Sequence, residues 1–195
     1  MTTIAPVRQS FSVYRLAGVA GLLSALVLVV NAAKRAQLIP STAFTQLVAP
    51  LAEVFALAFV TALYLYCEPR LGRFGRAAFV ANYLALGALV GVEFVINLVF
   101  ARLEPAQIAE LRAGPLSVAL TGTSVLFLIG TVAFAAALAR TGLPPRAALA
   151  LYAVGSIPVA LRAFVPELVL DVSLVVLAGG VAWLSAWLIG AARGR

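Results

Sequence analysis

The sequence predicts an all-α membrane protein, a six-transmembrane-helix bundle with both termini in the cytoplasm. Three observations carry that prediction. Hydrophobic residues make up 64% of the 195-residue chain and charged residues only 11%, where soluble domains carry about a quarter. The apolar residues come in continuous blocks of about 20, the length that crosses the roughly 30 Å hydrocarbon core of a bilayer. The blocks are rich in Ala, Leu, Val and Gly and do not alternate with polar residues. Helices, not barrel strands, therefore satisfy the backbone in lipid.

The first span covers 13–33. Arg8 and Arg15 flank it as they would a signal peptide, but Val30-Asn31-Ala32-Ala33-Lys34 is a poor cleavage site and further spans follow, so the helix is expected to stay. The second and third spans, 44–66 and 77–101, are joined by a turn through Leu71-Gly72-Arg73. The fourth covers 116–139, after a link in which Pro105 to Arg112 forms either a short interfacial helix or a loop. The turn Thr141-Gly142-Leu143-Pro144-Pro145 leads into the fifth, 147–165, which holds Arg162 and Pro158. Proline removes a helix hydrogen bond and bends the chain. A tight Val165-Pro166-Glu167 hairpin leads into the sixth, 168–191. Residues 1–195 read as one transmembrane domain, with no internal repeat and no soluble module.

The formal charge of +7 is spread over short loops, so it sets topology and does not signal nucleic acid. Arg8, Arg15, Arg70, Arg73, Arg76, Arg140, Arg146, Arg193 and Arg195 fall on one side of the predicted bundle; Lys34, Arg35, Arg102, Arg112 and Arg162 fall on the other. The richer side faces the cytoplasm, which places both termini there. Lys34 and Arg35 work against that assignment.

Polar residues inside the spans mark candidate sites, because an acidic side chain at the bilayer centre costs about 2.5–3.5 kcal/mol. Glu53 and Glu93 lie in consecutive antiparallel spans, each roughly 12–14 Å deep in the outer half. Asn82, Glu93 and Asn97 share one stripe of the third span. The opposite face carries Gly87 and Gly91, a spacing that lets a neighbouring helix approach, so this helix is expected to be buried on both sides. Gln46, Ala49 and Pro50 share a face with Glu53. Ser117, Thr121, Ser124 and Thr131 line the fourth span, where hydroxyls usually bond their own helix. Arg162 and Asp171 flank the last hairpin and are expected to clamp it as a salt bridge. Trp183, Trp187, Tyr64 and Tyr66 resemble an interfacial belt.

The binding candidates are thus Glu53, Glu93, Asn97 and Arg162, lining an outward-opening pocket for a cation, a proton or a polar headgroup. The structural alternative is a protonated carboxyl hydrogen-bonded to a neighbouring helix. Histidine is absent, and Cys67, Lys34 and Asp171 are each the sole residue of their type. These absences exclude a His-based triad, His-ligated haem, a zinc protease motif, an Asp–Asp dyad and a dithiol pair within the chain. No phosphate-binding loop appears. Neither an enzymatic constellation nor a cofactor nor a metal site is expected; the expected partners are membrane lipid and other membrane subunits.

Arg15-Leu16-Ala17-Gly18 at the opening of the first span and Leu143-Pro144-Pro145-Arg146 before the fifth resemble a family of bacterial six-helix membrane proteins catalogued as a domain of unknown function. The length and helix count agree over nearly the whole chain. The resemblance implies a multi-pass protein of the bacterial inner membrane and supplies no activity and no functional residues.

Overall fold

The computed structural model describes residues 7–193, with side chains from residue 13 onward. Arg195 and the side chain of Arg8, both counted for orientation, lie outside the described residues. The chain is 87% helix, without strands among the described residues. Its helices are α1 (Val7–Arg35), α2 (Ala43–Val48), α3 (Leu51–Cys67), α4 (Gly72–Phe94), α5 (Pro105–Arg112), α6 (Pro115–Thr141), α7 (Arg146–Ala160) and α8 (Glu167–Arg193). A π-helical turn, Val95–Val99, and a 3-10 turn, Phe100–Arg102, extend α4.

Five segments are long and apolar enough to cross a membrane: Val13–Arg35, Ala43–Arg70, Gly72–Arg102, Pro115–Thr141 and Glu167–Arg193. The chain is therefore a multi-pass membrane protein in its helix architecture. The expected fifth span is shorter. It covers 15 residues, about 22 Å at 1.5 Å per residue, less than the bilayer core. Pro158 lies in its last turn, and the helix stops at Ala160, so Arg162 sits in the turn beyond it. The second span is also interrupted. Pro50 has no N–H to donate, and the chain bends at Ala49–Pro50 between α2 and α3. The link before α6 resolves as a helix, α5, started by Pro105 and by the Gln107 side chain, which accepts from the Glu104 backbone N–H at 2.9 Å.

The long helices form a closed ring. α1 packs on α3, α3 on α4, α4 on α6, α6 on α7, α7 on α8, and α8 returns to α1. Small residues set the tightest contact. A Cβ added at Gly180 would lie 2.5 Å from the Tyr152 backbone nitrogen, and one at Gly155 2.5 Å from that of Leu177. α7 and α8 thus touch backbone to backbone at two points. Outside, large apolar side chains such as Leu16, Leu26, Leu84 and Ile129 are exposed, as a lipid-facing surface requires.

Two expectations are corrected by the packing of α4. α4 is not buried on both sides: it contacts α3 and α6, and its span is the least buried of the five. Nothing lies within 4 Å of a Cβ added at Gly87 or Gly91, so that pair faces outward and packs no helix of this chain. The four aromatics read as a belt differ in exposure, with Tyr64 and Trp187 half-buried. Tyr66 is buried and meets Tyr14 and Trp187 edge-on, with centroids at 5.7 and 5.3 Å, and Tyr64 stacks on Phe79 at 4.2 Å. Trp183 alone of the four is strongly exposed. Large rings fill the end of the ring where its helices begin and finish.

Candidate functional site

The ring encloses a cavity of about 160 Å³, where one water needs about 10–15 Å³. Each long helix contributes to its wall, which is mostly apolar: Leu28 from α1, Phe59 from α3, Leu86 from α4, Phe127 from α6, Tyr152 from α7 and Leu177 from α8. The charged groups of the wall gather at one end. There α1 finishes, α3 begins, α4 passes into its π turn, and the α7–α8 hairpin crosses.

Local sequence places each group. Asn31, Lys34 and Arg35 close α1 at a spacing of three and four residues, so they share its last turn. Glu53 lies in the first turn of α3, just after the Pro50 bend. The π turn carries Asn97 back toward Glu93, and Asn97 Nδ2 donates to the Glu93 carbonyl at 3.0 Å and to its Oε2 at 2.9 Å. Lys34 Nζ donates to Asn97 Oδ1 at 2.6 Å, and Arg162 Nη1 donates to Glu93 Oε1 at 3.1 Å. A continuous chain Lys34–Asn97–Glu93–Arg162 therefore spans α1, α4 and the end of α7. Beside it, Arg35 pairs with Glu167, and its Nε approaches Asp171 Oδ1 at 3.3 Å without hydrogen-bond alignment.

Glu53 stands apart from that chain. It lines the same cavity, and its Oε2 is shut off from solvent and has no hydrogen-bond partner among the described residues. Asn31 Nδ2 donates to the Ala49 carbonyl at 3.2 Å, at the bend one turn before Glu53, while its Oδ1 is likewise buried without a partner. Deeper, where the cavity closes, Asn82 Nδ2 donates to the Tyr152 hydroxyl at 3.3 Å and Thr131 Oγ1 donates to Asn82 Oδ1 at 2.8 Å. This second cluster ties α4, α6 and α7 together beneath the cavity.

All four sequence candidates line the one cavity, and three of them form its central hydrogen-bonded chain. The expected Arg162–Asp171 clamp does not form. Arg162 reaches across to Glu93, and Asp171 meets Arg35, because the early end of α7 turns Arg162 toward α4 and leaves Asp171 facing α1. Thr131 bonds across to α4, not to its own helix, and Ser124 faces the cavity. Sequence reasoning missed Asn31, Lys34 and Arg35 as site residues. The signal was present: Lys34 and Arg35 work against the orientation predicted from sequence, and Lys34 instead bonds to the Glu93–Asn97 cluster.

Fold and site together define a multi-pass helical membrane protein with an internal cavity polar at one end. No protein-family model matches the sequence, and neither a curated protein nor a solved structure matches it.

Proposed function

We propose that this chain is a small inner-membrane protein of a bacterium. It crosses the bilayer six times with both termini in the cytoplasm and binds or transports a small cation, a proton or a polar headgroup through its cavity. The observation that carries the reading is the placement of Glu53, Glu93, Asn97, Arg162 and Lys34 at one end of one cavity walled by all the long helices. Buried charge is costly in lipid, and a bundle needing only to hold together gains as much from apolar packing. Six crossings require α7 to span with the turn beyond it, in a bilayer thinned locally around Arg162. Native mass spectrometry after gentle extraction tests the binding reading: a small molecule or headgroup is expected to leave with the protein and to be lost in Glu53→Gln and Glu93→Gln. Retention in both variants, with an unchanged host phenotype, rejects the pocket.

A second reading is a structural or accessory subunit, favoured by the outward-facing Gly87 and Gly91, whose backbone is open to a helix of another protein. The same spectra discriminate, since a co-purifying subunit lost on Gly87→Leu supports it.

A further inference from the structure

The balance of donors and acceptors at the polar end narrows what the cavity takes. Every cation there is already engaged: Lys34 by Asn97, Arg162 by Glu93, and Arg35 by Glu167 and Asp171. Three basic groups stand against four carboxyls, since Arg162 and Arg35 meet Glu93, Glu167 and Asp171, Lys34 meets an amide oxygen, and Glu53 is the fourth acid. Among the cavity-lining residues three buried atoms lack a hydrogen bond: Arg35 Nε, which faces Asp171 Oδ1 at 3.3 Å, and two acceptor oxygens that face no cation, Glu53 Oε2 and Asn31 Oδ1. Both residues belong to the same corner of the cavity, since Asn31 is hydrogen-bonded to the carbonyl of Ala49, four residues before Glu53. An incoming anion would add negative charge to a site that already holds one more carboxyl than basic groups. An incoming N–H donor with positive charge would satisfy both oxygens at once.

The rest of the wall fixes the other half of the ligand. Beyond these oxygens the cavity is lined by Phe59, Leu86, Phe127 and Leu177. A hydrated metal ion makes no use of that surface. The volume holds on the order of ten water-sized groups. We propose that the cavity binds a small amphiphilic ammonium, its N–H groups on Glu53 and Asn31 and an apolar body of about ten heavy atoms among the aromatic and leucine side chains. This rests on the pocket reading above and gives its ligand a class.

The test is thermal unfolding of the full chain in detergent, with n-heptylammonium, n-heptanol, n-heptanoate and ammonium chloride as probes at matched free concentration. Heptylammonium is expected to raise the unfolding midpoint, as a ligand of the folded state must, and the other three to leave it unchanged. Glu53→Gln is expected to raise the concentration giving half the shift at least tenfold. Ala56→Phe and Ser124→Phe, which fill the cavity from α3 and α6, are expected to abolish the shift. An equal shift from heptanol or heptanoate, abolished by either filling variant, overturns the ammonium class and leaves the pocket standing. A shift from ammonium chloride alone overturns it in favour of a small ion. If no probe responds to the filling variants, the pocket reading fails with it.

Discussion

The two ends of the helix ring are built on opposite plans. At the end where α1 begins and α8 finishes, Tyr14, Tyr66 and Trp187 interlock, Phe134 is fully buried beside Phe79, and Arg140 lies over the Phe74 ring at 5.0 Å. Space is filled there by rings and by side-chain volume. At the other end the helices are held apart, and long-range pairs cross the gap: Lys34 to Asn97, Arg162 to Glu93, Arg35 to Asp171. The first plan maximises contact, and the second leaves a cavity whose wall keeps buried polar atoms without hydrogen bonds, the Glu53 and Asn31 oxygens among them. Close packing and polar pairing are thus assigned to different ends of one bundle, and the polar end keeps groups that packing alone would have removed.

Substitutions can break or sharpen that contrast. The largest effect belongs to the packed end. Phe134→Ala removes a fully buried ring and is expected to cost about 3–5 kcal/mol, read as a fall in the midpoint of unfolding in denaturing detergent. Arg162→Ala at the polar end leaves Glu93 without its ion pair; the pair is partly exposed, with side chains 30% and 18% accessible, so the cost is about 1–3 kcal/mol. Restoring stability with Glu93→Gln in the same chain would confirm that the loss is electrostatic. Glu53→Leu is expected to move the other way, raising stability by about 1–2 kcal/mol, because it removes a buried oxygen with no partner. A destabilised Glu53→Leu would make Glu53 a structural residue and dissolve the contrast. Thr131→Val, which deletes the hydroxyl bonded to Asn82, is the smallest, about 0.6 kcal/mol by the average for hydrogen bonds between membrane helices.

The candidate site was partly legible in the sequence. Glu53, Glu93 and Asn97 stood out because each is an expensive residue at a bilayer depth, and periodicity put the last two on one face. Periodicity failed for Gly87 and Gly91, since a small-residue spacing says that a backbone is approachable and not whether anything approaches it. It failed for Arg162 and Asp171, because nearness in sequence across a hairpin does not fix which way two helix ends turn. Lys34 was read only as a topology charge, although it reaches Asn97, 63 residues away.

What the sequence determined by itself is the membrane solvent and most of the crossings, because a block of apolar residues long enough to cover a bilayer is a local property. It also determined which polar groups would need partners. The tertiary structure alone decided who those partners are, that α7 stops short at Ala160, and that the helices close into a ring around a cavity. Those outcomes depend on where the ends of distant helices meet, and a burial cost read from sequence carries no direction.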